Sequence, residues 1–183
     1  MPDLEILNQM IQDYAKVPIE IANGKAFVRL KEPQAPDSSI DIMGIPTGTI
    51  VIKIDKFPSP DPIFCGSKSE CKRADYVIIA NSGGKKRILY IEMKRTKDSL
   101  KEVITQLTGA RCFMHYCQAI GINFWGERDF LKNYQPRFVS IGHTSISKRK
   151  TRVNRDTGKH DSPEKVMKID WPHRLQFNHL AGA

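Results

Sequence analysis

One acidic and one basic residue interrupt an otherwise apolar segment, ILYIEMK, at residues 88–94. Glu92 and Lys94 are two positions apart, so on a β-strand their side chains project from the same face. The neighbouring isoleucine, leucine and tyrosine residues are typical of a buried strand. Burial disfavours charged side chains unless they have partners, so we expect a neighbouring strand to supply one.

The apolar segment before it, residues 75–81, supplies that partner if the two segments form a hairpin. A two-residue turn at Gly83-Gly84 places Asp75 directly opposite Glu92, whereas a longer turn would shift this register. Directly opposed residues of antiparallel strands share a face, with Cβ atoms about 5 Å apart. The pattern therefore predicts that Asp75, Glu92 and Lys94 converge at one end of a buried strand pair.

Three ionisable groups in this arrangement suit the hydrolysis of a phosphodiester. Two close carboxylates repel each other, and a bound divalent cation relieves that repulsion better than Lys94 alone. Mg²⁺ fits because it prefers oxygen ligands and needs few carboxylates, and Mn²⁺ can take its place. The cation can activate water, and the lysine can position that water and neutralise developing charge. The alternative is a purely structural cluster, since an isolated Glu-x-Lys pair on a strand is common.

The surrounding pattern predicts the elements that hold this hairpin. A hairpin turn is expected at Asn23-Gly24, and Asp98 is expected to cap the longest helix. Helices are predicted at 3–15, 98–120 and near 127–133, and further strands at 48–57, 137–143 and 165–171. Because the central strands are apolar on both faces, we expect an α/β fold, with a mixed central β-sheet covered by helices on both sides.

Length and charge bound the class of protein. The 183 residues are enough for one domain, and 40% of them are hydrophobic. The net charge of +9 is uneven: residues 1–62 carry 6 basic and 9 acidic side chains, whereas residues 131–183 carry 11 and 4. This gradient predicts that the second half of the chain meets a polyanion, most simply a nucleic acid. A solvated basic surface is the alternative.

Targeting signals and cysteines give weaker indications of location and function. No apolar run reaches the length of a membrane span, and the acidic, amphipathic N-terminal segment does not resemble a secretory signal, so a cytoplasmic protein without membrane contact is expected. The four cysteines form no C-x-x-C pair. Packed, reduced thiols are favoured, and a zinc site at Cys112, His115 and Cys117 is the alternative.

The segment RADYVIIA, followed by ILYIEMK and an amphipathic helix, resembles the PD-(D/E)xK nuclease superfamily, which has the restriction-endonuclease-like fold. The match covers about residues 70–145 and implies an α-β-β-β-α-β core. It implies that Asp75 and Glu92 bind the metal with the Met93 carbonyl, and that Lys94 is catalytic. We therefore expect a single nuclease domain over residues 1–183, with a core at about 3–145 and a basic C-terminal extension at 146–183.

The resemblance also leaves positions open. Ala74 stands where the family often has proline. Many members add an acidic residue from the first helix, for which Glu5 and Glu20 are candidates. Gln106 on the following helix is a candidate catalytic residue. The predicted nucleic-acid contacts are Lys97, Arg111, Lys148, Arg149, Lys150 and Arg152. Trp125 and Trp171 could stack on bases, although packing in the core is the favoured interpretation.

The expected function is that of a Mg²⁺-dependent endo- or exodeoxyribonuclease. DNA is preferred over RNA only by analogy, since most of the resembled family cuts DNA. We expect either a small homodimeric restriction-type enzyme or the nuclease subunit of a larger complex, such as an antiviral defence system. The alternative is a catalytically inactive nucleic-acid-binding or scaffold module with the same fold.

Overall fold

The computed structural model describes residues 2–32, 39–94, 99–142, 159–171 and 173–182. Within these ranges three α-helices and nine β-strands form a mixed α/β architecture, which confirms the predicted α/β class. The helices are α1 (Asp3–Met10), α2 (Leu100–Phe124) and α3 (Phe177–Ala181). The strands are β1 (Ile19–Ala22), β2 (Lys25–Lys31), β3 (Ser39–Met43), β4 (Ile50–Lys53), β5 (Tyr76–Ser82), β6 (Lys85–Lys94), β7 (Gln135–Gly142), β8 (Met167–Asp170) and β9 (Arg174–Gln176).

The strands form two sheets. The central sheet has five strands in the order β4-β5-β6-β7-β8, with antiparallel pairs from β4 to β6 and parallel pairs from β6 to β8. The second sheet has the order β1-β2-β3-β9, with β9 parallel to β3. Residues of the predicted C-terminal extension thus supply one strand to each sheet and the helix α3.

The two faces of the central sheet are covered differently. On one face, Val77 and Ile79 pack in a core with Leu107 and Ala110 of α2 and with residues of α1. On the other face the core is shared with the second sheet and α3. The expected helical cover is therefore only part of what lies on this second face, where α3 shares the core with the second sheet. Apolar strand faces require a cover but do not specify its secondary structure.

Several predicted boundaries also change. The first helix ends at Met10, and a separate 3₁₀ turn follows at Asp13–Ala15. The predicted helix near 127–133 is a series of turns, in which Leu131 has a φ of 56° that no helix accommodates. The helix α2 begins after Ser99, whose Oγ accepts a hydrogen bond from Glu102 N at 3.2 Å. Asp98, the expected cap, lies outside the described residues.

Candidate functional site

The register of the β5–β6 hairpin is the predicted one. The paired residues run from Ser82 with Lys85 at the turn to Tyr76 with Ile91 at the far end. One more step in this register sets Asp75 opposite Glu92. Met93 N donates a hydrogen bond of 2.7 Å to Asp75 Oδ2, which fixes the carboxylate against the neighbouring strand. The two-residue turn at 83–84 thus determines which carboxyl groups meet about 25 Å away.

Strand alternation assigns these carboxyl groups to one face of the central sheet. Tyr76 and Ile78 belong to the core shared with the second sheet, whereas Val77 and Ile79 belong to the core under the helices. Because side chains alternate along a strand, Asp75 falls on the helix-covered face. The Asp75 carbonyl accepts a hydrogen bond of 2.8 Å from Ile54 N, so the residue that directly follows β4 also holds this position.

Glu92 is the most deeply buried ionisable residue of the site. Its side chain is fully buried, and neither carboxylate oxygen accepts a hydrogen bond from the described residues. Lys94 Nζ lies 3.0 Å from Glu92 Oε1, close enough for an ion pair although without the geometry of a directional hydrogen bond. Burial, followed by the charge of Asp75, raises the pKa of Glu92 to about 9, and Lys94 opposes this shift.

The pKa of Asp75 is also raised, by less than that of Glu92. Burial raises the pKa of Asp75 to about 7, and the hydrogen bond from Met93 N opposes this by stabilising the carboxylate. The charges of Glu32 and Asp55 raise this pKa further, whereas Lys94 lowers it. At neutral pH the isolated site therefore holds fewer negative charges than its carboxyl groups would carry in water.

Glu32 and Asp55 are the acidic residues near the site that sequence reasoning missed. Glu32 is 5% exposed and follows β2, whose Lys31 backbone exchanges two hydrogen bonds with Tyr76 Oη, at 3.0 and 2.6 Å. The alternation of buried Val28 and Leu30 continues to Glu32, so this signal was present in the sequence.

Asp55 follows β4 in the 3₁₀ turn Ile54–Lys56, next to the residue that donates to the Asp75 carbonyl. It forms an ion pair of 3.6 Å with Lys53 Nζ, and burial raises its pKa. No periodic pattern marks it in the sequence, because it lies just past the strand.

The two acidic candidates from the start of the chain are placed elsewhere. Glu5 is exposed on α1, and Glu20 is exposed on β1, at the edge of the second sheet. Asp3 of α1 forms an ion pair of 3.1 Å with Lys86, near the turn end of the hairpin. The acidic groups that act on Asp75 thus include Glu32 from the second sheet and Asp55 from the β4 edge.

The remaining candidate site residues among the described ones lie in different surroundings. Gln106 lies on α2 with a buried Oε1 that accepts no hydrogen bond from the described residues. Arg111 Cζ lies 6.0 Å from the centre of the Phe138 ring, so its guanidinium packs over β7. Trp125 Nε1 donates to Gln9 Oε1 at 3.2 Å, which agrees with a packing role. Trp171 is half-buried against the core of the second sheet.

The other predicted nucleic-acid contacts lie outside the described residues. They are Lys97, Lys148, Arg149, Lys150 and Arg152.

The zinc alternative is not supported by the placement of its residues. Cys117 is buried in the core, whereas Cys112 and His115 are exposed on α2. Across the described ranges, no three or more His, Cys, Asp or Glu side chains are grouped as metal ligands. The carboxylates of Asp75 and Glu92 nevertheless offer oxygen atoms of the kind that a hard cation binds, beside the Lys94 ammonium at 3.0 Å from Glu92 Oε1.

In the described part of the chain, no helix has the length and apolar character needed to cross a membrane.

Comparisons with other proteins leave the family open. No family model, curated protein or solved structure matches this chain.

Proposed function

We propose that this protein is a Mg²⁺-dependent nuclease that hydrolyses phosphodiester bonds, most simply in DNA. The observation that carries the proposal is the meeting of Asp75, Glu92 and Lys94 on one face, at the end of a buried hairpin. The chain order α1, β4, β5, β6, α2, β7 corresponds to the α-β-β-β-α-β order of PD-(D/E)xK nucleases. In this comparison β1, β2 and β3 are an insertion that forms most of the second sheet.

The side chains around Asp75 fit a hard divalent cation. Asp75 and Glu92 would hold it, with the Met93 carbonyl as a further oxygen ligand and Gln106 as a nearby polar group. Glu92 is costly to ionise where it lies, and a bound cation would supply the positive charge that makes its carboxylate favourable. A divalent cation in such a site lowers the pKa of water and offsets charge on the phosphate.

Lys94 has the position expected of a group that handles the attacking water. Its side chain is 26% exposed, so the ammonium group reaches solvent while it stays 3.0 Å from Glu92 Oε1. From there Lys94 can orient a water molecule and offset negative charge that develops on the phosphate. The hydrogen bond from Met93 N keeps Asp75 in a fixed orientation beside it.

A binding or scaffold module without catalysis is the second candidate. It is favoured by the finding that no metal-ligand group is assembled among the described residues. It is opposed by the presence of all three ionisable residues in one cluster. In both cases the basic charge of the chain supports a nucleic-acid partner, with the protein acting as a homodimer or as a subunit of a larger complex in the cytoplasm.

The test is a cleavage assay on plasmid, linear duplex, single-stranded DNA and RNA, in Mg²⁺, Mn²⁺ or EDTA. We expect Asp75→Ala and Lys94→Ala to reduce metal-dependent cleavage by at least about 100-fold, because the first removes a proposed metal ligand and the second removes positive charge at the phosphate. Lys132→Ala is the matched control, since Lys132 is an exposed lysine paired with Asp129. Cleavage that survives both site substitutions would exclude this site. Binding without any cleavage would favour the scaffold module.

A further inference from the structure

A long loop leaves and rejoins the fold beside the proposed site. It spans residues 57–74, between the 3₁₀ turn Ile54–Lys56 and Asp75. Arg73 closes its base, because Arg73 Nη2 donates to Phe57 O at 3.0 Å and to Pro58 O at 2.8 Å. Both stems of the 57–74 loop therefore adjoin Asp75.

The 57–74 loop has a defined internal structure. Its tip is a turn in which Pro60 O accepts hydrogen bonds from Ile63 N at 2.8 Å and Phe64 N at 3.0 Å. The Glu70 carboxylate accepts bonds from Gly66 N at 3.0 Å and Lys68 N at 2.8 Å. A compact loop fixed by its own hydrogen bonds presents its tip with little loss of conformational entropy on binding.

Two large apolar side chains stand at this tip in contact with solvent. Ile63 is 77% exposed and Phe64 is 52% exposed. The hydrogen bonds from their backbone amides to Pro60 O fix the backbone from which both side chains project. Adjacent exposed residues of this size on an ordered loop are typical of a binding surface.

The loop also rests against the first part of α2, next to the strand that carries Glu92. Lys72 Nζ forms an ion pair of 3.0 Å with Glu102 Oε1. Gly109 lies so close to Lys72 that a Cβ at this position would be 1.8 Å from Lys72 O. This contact requires glycine and fixes the loop relative to the helix.

The charged groups of the loop differ in their partners. The acidic groups are occupied inside the loop: Glu70 accepts backbone hydrogen bonds, and Asp61 interacts with Cys71 and Ser59, which lowers the pKa of Asp61. Lys68 and Lys72 are exposed. Lys68 thus offers an exposed cationic group on the same loop as the apolar tip, while Lys72 is paired with Glu102 and both loop carboxylates stay ionised.

We propose that Ile63 and Phe64 pack against the bases of the nucleic acid whose phosphate occupies the Asp75–Glu92 site, an inference that rests on the proposed function. A base offers a flat apolar face for Phe64, and an inserted aliphatic side chain such as Ile63 holds neighbouring bases apart. Lys68 faces the phosphates beside them. The loop thus sets the position of the strand relative to Asp75.

The experiment measures binding of the full chain to a short fluorescein-labelled DNA duplex containing 2-aminopurine, with Ca²⁺ in place of Mg²⁺. We expect the Ile63→Ala/Phe64→Ala variant to bind about tenfold more weakly and to lose the 2-aminopurine signal, since each stacked base contributes strongly to affinity. Phe64→Trp should bind as tightly as wild type, because tryptophan also stacks on a base, and the stacked base should quench the tryptophan fluorescence. Phe124→Ala is the control, because Phe124 is 82% exposed at the end of α2.

Three outcomes decide the inference. Loss of binding in the double variant, with recovery in Phe64→Trp and no change in Phe124→Ala, supports it. Unchanged binding in the double variant, or an equal loss in Phe124→Ala, overturns it while the nuclease proposal stands. A wild-type chain that neither binds nor cuts nucleic acid overturns both proposals. Phe64→Trp keeps the test decisive if the double variant does not fold.

Discussion

The two hairpins of this protein have the same turn and different surroundings. In the β1–β2 hairpin, Asn23 and Gly24 have φ values of 51° and 73°. In the β5–β6 hairpin, Gly83 and Gly84 have φ values of 56° and 82°. Left-handed backbone at both central positions is the signature of the same two-residue turn type, which matches the twist of antiparallel strands. Both turns therefore set the register of their strands in the same way.

The strands that lead into these turns differ in burial. Every residue of β1 is exposed, and β1 is the edge of the second sheet. The strand β5 is buried from Tyr76 to Ala80 and pairs with β4 and β6. An acidic residue on β1, such as Glu20, stays in water, whereas Glu92 is removed from it. A turn can align carboxyl groups anywhere, but burial is the largest cause of the raised pKa values of Asp75 and Glu92.

The largest expected effect that tests this contrast is on stability. Ile79→Ala on the buried strand should lower the free energy of unfolding by about 2–5 kcal/mol, because Ile79 is fully buried and its removal leaves a cavity. Ile21→Ala on β1 should change it by less than about 0.5 kcal/mol, because Ile21 is 77% exposed. Urea unfolding followed by circular dichroism measures both. Equal losses would show that β1 is covered in solution.

This contrast also explains how far the sequence could predict the site. The Gly-Gly turn and the alternation of β5 and β6 were enough to place Asp75 opposite Glu92, because register follows from local geometry. The long helix α2 was likewise evident from its apolar periodicity. Predictions that depended on neighbouring residues in the chain therefore agree well with the structure.

The parts that failed depend on contacts between distant segments. Glu32 comes near Asp75 because Tyr76 Oη bonds to the Lys31 backbone, 45 residues away in the chain. The second sheet as the cover of one face has no periodic signature, since its strands alternate as any half-buried strands do. The turns at 127–133 replace a predicted helix because Leu131 adopts a left-handed conformation. None of these could be derived from local pattern alone.

A smaller effect on the free energy of unfolding is expected from the protonation of Glu92 as pH changes. Burial raises the folded-state pKa of Glu92 to about 9, against an ordinary value of 4.5. The folded protein therefore binds more protons than the unfolded chain between these values, so the stability from this group is present below pH 4.5 and is lost as pH rises towards 9. We expect Glu92→Gln to be more stable than wild type by about 1–3 kcal/mol at pH 8.5, with the difference vanishing near pH 4.5.

Thermal unfolding from pH 5 to 9 in EDTA measures this difference, with Glu20→Gln on β1 as the control that should follow wild type. Asp75 is present in both proteins, and burial raises its pKa to about 7. The stability of both proteins therefore still falls somewhat as pH rises to that value. Mg²⁺ should stabilise wild type at pH 8.5 and leave Glu92→Gln unchanged, because binding favours the ionised carboxylate. A Glu92→Gln variant that loses stability with rising pH as steeply as wild type would contradict the assigned burial.

The smallest expected effect on stability comes from giving the β5–β6 hairpin the turn sequence of the β1–β2 hairpin. Gly83→Asn gives the β5–β6 hairpin the Asn-Gly turn of the β1–β2 hairpin, at a position whose φ of 56° is close to the 51° of Asn23. The added Cβ meets no atom within 4 Å, so the folded state has room for it. Asparagine tolerates left-handed backbone and restricts the unfolded chain more than glycine, so we expect about 0.4–1 kcal/mol of added stability. Urea unfolding measures the gain, and cleavage should be unchanged because the pairing of Asp75 with Glu92 is kept. A loss of cleavage in a stable Gly83→Asn variant would mean that the turn residue itself, and not the register alone, matters to the site.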